Sequence, residues 1–368
     1  METNRGSSIN FKVNWEAVII RNGQFNAKKK KLCSYLFKSA SSIGIDLGSG
    51  SVKMIQLRYS RSGDISFRTH SFRTPVGSVN RGRIKTVGPL IDELVRIKEK
   101  LNFKGNRVNM CLDGRSAFTK TITLPPLNKR EQKMAMQIEA EKFFNLKKTE
   151  AVIDYVFTGL SSRMEEPAYE YLLAAVPINL SESYSLLLKE AGFHLNSLEV
   201  QPLSVMRSLQ YCQILSARKK KNILLVDLGA ESTDIFLLSE QTMHNYRNLN
   251  TSWHSLMQNA SNNNASNNQP DCYHLAARQL AGLIIQSLEY WFEKSNRAKT
   301  QPASLYLCGG GTLDRSFMQA LQKALGIGIN VFNPLSTFEN INSRRNSDNN
   351  DLGPLYATAC GLAVRGWF

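Results

Sequence analysis

Short apolar runs alternate along this chain with longer stretches of helical period, the pattern of a mixed α/β fold. Runs at 43–45, 108–112, 171–176, 195–200, 223–226 and 304–308 read as buried strands, and 64–73 reads as another after the turn Arg61-Ser62-Gly63. Helices fall between them. Residues 83–101 set Ile84, Val87, Ile91, Leu94 and Leu101 on one face. Residues 181–191 end at Gly192, a C-terminal stop, and Gln201-Pro202-Leu203 opens a helix reaching 211. The strongest helical pattern is 275–292, with Leu280, Ile284, Leu288 and Trp291 on one side; helices at 316–325 and 355–365 follow. Two asparagine-rich stretches, 258–270 and 339–351, carry little that could be buried and read as loops.

A shorter pattern interrupts this series. Residues 119–124 alternate as an edge strand does and stop at Pro125-Pro126. Asn128 is placed to cap a helix over 129–144, with Met134, Ile138 and Glu141 at helical spacing, and 152–157 returns as a strand. The layout expected is therefore a basic extension (1–41), a first lobe (42–115) and a small α+β insertion (116–169). The first lobe then resumes (170–221), followed by a second lobe (222–354) and a C-terminal helix returning to the first (355–368).

One six-residue pattern occurs twice, each time after an apolar run and before another. Asp46-Leu47-Gly48-Ser49-Gly50-Ser51 follows Ile43-Gly44-Ile45, and Asp227-Leu228-Gly229-Ala230-Glu231-Ser232 follows Ile223-Leu224-Leu225-Val226. Each copy reads as strand, tight turn, strand. Glycine at the bend lets backbone approach a ligand, and successive N–H groups there can cradle a phosphate. Ser49, Ser51, Ser232 and Thr233 add hydroxyls, and Lys53 lies just beyond the first turn. Asp46 and Asp227 suit a hydrated Mg²⁺ that bridges phosphates. Taken singly, Asp-Leu-Gly is also an ordinary hairpin turn; two copies in matching context point to a clamp on a nucleotide.

Composition narrows the classes. The 368 residues are 42% apolar, enough for two lobes with their own cores. Lys and Arg number 46 against 30 Asp and Glu, a net charge of +16, yet no aromatic-interleaved basic motif of a nucleic-acid module is present. The block Lys28-Lys29-Lys30-Lys31 beside Leu32, Tyr35, Leu36 and Phe37 has two readings, a solvated arm or a contact with an anionic membrane face. Six scattered cysteines without C-x-x-C spacing indicate reduced thiols of a cytosolic compartment. No apolar run approaches the roughly 20 residues of a membrane span.

A third signature, Gly309-Gly310-Gly311-Thr312, lies between a strand and a helix and leaves room for a flat ring against bare backbone. The order of the three signatures resembles the actin, Hsp70 and sugar-kinase superfamily. Within it, the stretch 42–53, Ile138-Glu139-Ala140-Glu141-Lys142-Phe143-Phe144, Ala151-Val152-Ile153-Asp154-Tyr155, Leu307-Cys308-Gly309-Gly310-Gly311 and the ending 359–365 are similar to the PilM family of type IV pilus assembly proteins, relatives of FtsA.

That resemblance covers about 42–367. It implies a two-lobed actin-like (ribonuclease H-like) fold with ATP and Mg²⁺ as cofactors. The phosphates and metal would sit at Asp46, Gly48, Ser49, Gly50, Ser51, Lys53, Asp227, Gly229, Ser232 and Thr233, with adenosine at Gly309, Gly310 and Gly311. It further implies a cytoplasmic adaptor that binds the tail of a PilN-like bitopic inner-membrane protein in a groove around 116–157. Other pilus or secretion platform proteins and motor ATPases would join it, and homo-oligomerisation stays open. In the connection 198–203, Glu199 and Gln201 are the candidates for activating water, and turnover is expected to be slow or absent. The segment 244–250 lacks the paired glycines that usually follow the second hairpin, and an asparagine-rich stretch stands in place of an acidic helix. The competing expectation is an FtsA-like protein that polymerises at the membrane.

Overall fold

A computed structural model describes residues 41–59, 65–101, 105–144, 150–161, 168–212, 214, 222–239, 242–263, 269–295, 302–341 and 350–365. The basic block of the extension lies outside them. The first lobe opens with β1 (Ser41–Leu47), β2 (Ser51–Tyr59) and β3 (Ile65–Arg73). A two-residue pair, β4 (Val79–Asn80) and β5 (Arg83–Ile84), precedes helix α1 (Gly88–Leu101) and strand β6 (Arg107–Leu112). The helix expected over 83–101 thus starts five residues later. Arg81 and Gly82 adopt positive φ values of 47° and 67°, which turns the chain so that Arg83 and Ile84 pair back on Val79 and Asn80.

The insertion follows: β7 (Phe118–Leu124), α2 (Lys129–Phe144), β8 (Ala151–Ser161) and β9 (Ala168–Pro177). Asn128 caps α2 as its sequence suggests. Its Oδ1 accepts from the N–H groups of Arg130 and Glu131 at 3.0 Å, and Glu131 accepts in return from the Asn128 N–H at 3.1 Å, a capping box. The expected boundary at 169 cuts through β9. This strand is the centre of a three-stranded sheet, paired along its length with β7 and β8, so the insertion runs on to 177. Ile122, Met136, Ala140, Tyr171 and Leu173 give it a small core of its own.

The chain returns through α3 (Ile178–Glu190) and β10 (His194–Val200), and α4 (Gln201–Tyr211) carries it towards the second lobe. There lie β11 (Ile223–Leu228), β12 (Thr233–Ser239) and β13 (Thr242–Leu249), then α5 (Trp253–Asn263) and α6 (Gln269–Ser295). After them come β14 (Ser304–Cys308), α7 (Arg315–Leu325), β15 (Ile329–Val331), α8 (Leu335–Ile341) and, after a 3₁₀ stretch (Asn350–Tyr356), α9 (Ala357–Ala363). The stretch 258–270 is helical at both ends, because Leu256 and Ala260 bury one face of α5. Residues 264–268 lie outside the described ones, as do 342–349 of the second asparagine-rich stretch.

The two lobes are built alike. Five strands run β3-β2-β1-β6-β10 in the first and β13-β12-β11-β14-β15 in the second. In each sheet the first three strands are antiparallel and the last two join in parallel. Both Asp-Leu-Gly motifs therefore occupy the same bend, between the first and second strands. Helix α9 packs against both α4 and β1. A Cβ on Gly361 would sit 1.7 Å from the Ser204 carbonyl oxygen, and one on Gly44 would sit 2.4 Å from that of Ala359, so both contacts require glycine.

Candidate functional site

The first hairpin is in register Asp46 opposite Lys53 and Leu47 opposite Val52. Lys53 Nζ lies 3.3 Å from Asp46 Oδ2. Thr74 braces the turn, donating from its hydroxyl to the Gly48 carbonyl at 2.6 Å and from its N–H to that of Gly50 at 3.2 Å. Any Cβ on Gly48 would meet the Ser51 carbonyl at 2.8 Å and Lys53 Nζ at 2.9 Å. Glycine thus lets the lysine fold back over the bend.

The second hairpin repeats the register with one exchange: Asp227 faces Asp234, where the first copy has a lysine. Its turn is closed by the Gly229 N–H on the Ser232 carbonyl at 2.9 Å. The start of α5 holds it from outside, with the Trp253 N–H on the Gly229 carbonyl and His254 Nδ1 2.8 Å from that of Ala230. Asp227 accepts from Gln201 Nε2 at 3.1 Å. Asp234 Oδ1 accepts from Tyr246 Oη at 2.7 Å and Asn248 Nδ2 at 2.8 Å. Burial raises both carboxyls, Asp227 to about 6 with help from the Asp46 charge and Asp234 to about 7 with help from Asp227 and Asp113. Thr233 keeps a buried hydroxyl with no hydrogen-bond partner among the described residues.

The two tips face one another: a Cβ on Gly50 would lie 2.7 Å from that of Ala230. Asp46, Gly48, Ser49, Gly50, Ser51 and Lys53 therefore stand across a narrow cleft from Asp227, Gly229, Ser232 and Thr233. The three glycines after β14 divide their roles. Gly309 has φ 86° and lies against Asp227 and Leu228, and Gly311 lies against the Leu228 side chain. Only Gly310 of the three has open space where a Cβ would be, so bare backbone is offered there.

Glu199 does not stand free to act as a base. It is buried, its oxygens take Arg207 Nη1 and Nη2 at 2.7 and 2.9 Å, and Arg365 also pairs with it. Burial alone would raise its pKa; the two guanidiniums outweigh burial and hold it below the ordinary carboxylate range. Arg207 donates as well to the Gly361 carbonyl at 2.8 Å, so Glu199 joins β10, α4 and α9. Gln201 does point into the cleft, through Asp227. Reading the residues alone missed Asp234, Arg115, Glu231 and Tyr246. Asp234 was accessible in principle, since it follows its Asp-Leu-Gly by the interval at which Lys53 follows the first.

The family model for type IV pilus assembly protein PilM matches residues 44–367. The chain belongs to the PilM family. The match spans the twin hairpins, the insertion and the closing helix together, and gives no support to the FtsA-like alternative. The chain is similar to the solved structure described as a PilM-PilN type IV pilus biogenesis complex, at 22% identity and TM-score 0.75, covering 89% of this chain and 98% of that one. It is also similar to the ethanolamine utilization protein EutJ from Carboxydothermus hydrogenoformans, at 13% identity and TM-score 0.51, covering 89% and 90%. Both likenesses establish the two-lobed actin-like fold. No match emerges among curated protein sequences. Among the described residues no helix is long and apolar enough to cross a membrane.

Proposed function

We propose that this PilM-family chain is an ATP- and Mg²⁺-binding adaptor that docks the cytoplasmic tail of a PilN-like inner-membrane protein and so works at the inner face of that membrane. The observation that carries the nucleotide half is the pair of Asp-Leu-Gly hairpins meeting tip to tip, each with a carboxylate at the end of its first strand. The residues fit the cofactor. Asp46 and Asp227 supply two carboxylates, the number Mg²⁺ ordinarily takes beside waters and phosphates. The turns offer backbone N–H groups, Lys53 a cation, Thr233 a buried hydroxyl without a partner among the described residues, and Gly310 bare backbone for a ring. Bound Mg²⁺ would neutralise phosphate charge and stabilise the closed cleft. With Glu199 committed to two arginines, Gln201 is left to orient water, which suits slow turnover.

The docking half rests on the insertion. Met134 and Ile138 stand exposed one helical turn apart on α2, and Phe118 and Phe143 add exposed rings. Exposed apolar residues grouped on one subdomain are what a short apolar peptide needs. The test is fluorescence anisotropy with a labelled N-terminal tail of a PilN-like protein. We expect saturable binding by the intact chain and at least ten-fold weaker binding by Ile138→Asp with its thermal stability unchanged. Equal binding by that variant would move the docking site elsewhere.

A further inference from the structure

Glu231 sits at the tip of the second hairpin and reaches across the cleft. Its backbone carbonyl accepts from Arg115 Nη1 at 3.0 Å, its Oε2 lies 3.7 Å from Arg115 Nη2, and the same oxygen accepts from the Arg81 N–H at 3.2 Å. Both partners belong to the first lobe. Arg81 is held in its unusual turn with positive φ, and the Ser116 hydroxyl donates to its carbonyl at 2.8 Å. Arg115 is fixed by Asp113, whose two oxygens take Nε and Nη2 at 3.1 and 3.0 Å. Beside this contact the loop after β6 meets β13 closely. A Cβ on Gly114 would fall 1.6 Å from Tyr246 Oη, the group that donates to Asp234. The lobes are thus clasped at the mouth of the cleft, immediately beside the contact of Gly50 with Ala230.

The chemistry of the clasp is that of an anion site. A guanidinium and a backbone N–H converge on one carboxylate oxygen, in a cleft whose other charges are mostly carboxylates: Asp46, Asp113, Asp227 and Asp234. A phosphate entering between the tips gains from the same two donors and is repelled by the carboxylate that holds them. We infer that Glu231 is an internal competitor for the terminal phosphate of a nucleoside triphosphate, and that Arg115 and the Arg81 N–H pass from Glu231 to that phosphate when the cleft is loaded. The inference rests on the nucleotide reading above. The contact is partly exposed, so it gates binding without contributing much to stability.

The test measures ATP affinity with Mg²⁺ for the intact chain, Glu231→Ala, Arg115→Ala and the double variant, with ADP and inorganic phosphate as parallel ligands. Hydrogen exchange of segments 79–84 and 229–232 is followed in the same proteins. Competition predicts about ten-fold tighter ATP binding by Glu231→Ala, loss of that gain in the double variant, a gain of the same sign for inorganic phosphate, little change for ADP, and faster exchange in both segments. Intact chain and Glu231→Ala binding ATP equally would overturn the competition and leave the nucleotide reading standing. Equal gains for ADP would overturn the assignment to the terminal phosphate. No ATP binding by any of the four would overturn both readings, and unchanged exchange would show that no clasp exists.

Discussion

Among single residues, Asp234 bears most on the electrostatics of the cleft. It lies opposite Asp227 on the neighbouring strand, and both carboxyls ionise in the folded chain only near pH 6 to 7, against an ordinary value of 3.8. Between those values the folded state binds more protons than the unfolded state, so stability falls as pH rises. The loss begins near pH 4, is complete just above pH 7, and is absent below both values. Asparagine at 234 keeps an oxygen for Tyr246 and Asn248 and removes the charge. Without nucleotide, Asp234→Asn is therefore predicted to gain up to about 4 kcal/mol at pH 8 and to flatten the slope between pH 4 and 7. Urea midpoints across that range measure both. Equal slopes for the two proteins would show that Asp234 does not carry the cost. Little of this was legible beforehand. Sequence names Asp46 and Asp227 through their motif, but it does not say that Glu199 is buried between Arg207 and Arg365. The second arginine lies far along the chain, and only the fold brings it there.

At the scale of elements, local patterns were readable wherever caps and burial act within a few residues. Asn128 marks the start of α2. Asp314 caps α7 through the Phe317 N–H, and Gly326 ends it in the left-handed region. The errors arose where tertiary pairing decides. Nothing local distinguishes β9 as an insertion strand from a first-lobe strand, because its apolar run is buried in either place. The close crossing of α4 and α9 was likewise hidden in one glycine. A methyl group on Gly361 meets main chain that cannot move aside cheaply. Gly361→Ala is predicted to cost about 3 kcal/mol, seen as a lowered unfolding midpoint with unchanged helix content. A midpoint equal to that of the parent chain would show that the helices can part without loss.

For the whole molecule, the repeated strand–turn–strand carries the argument. Two sheets of the same topology place two equivalent bends against each other, and the connections α4 and α9 pack together. The apolar core of the first lobe runs on into Ile223, Leu225, Phe236 and Cys308 of the second, so the two lobes are packed together behind the bends. Family membership fixes the setting as type IV pilus assembly, and the exposed apolar side chains on the insertion suit a peptide. A ligand held by both tips would then favour the packed arrangement of the lobes, and through it the surface beside the insertion. The central claim is that the paired hairpins hold a nucleotide through their aspartates. Its most direct test is titration calorimetry with ATP and Mg²⁺ on the intact chain and on Asp46→Ala. One site per chain and at least ten-fold weaker binding by the variant are expected; undiminished binding by Asp46→Ala, or no binding by the intact chain, would mean that the aspartates hold no nucleotide.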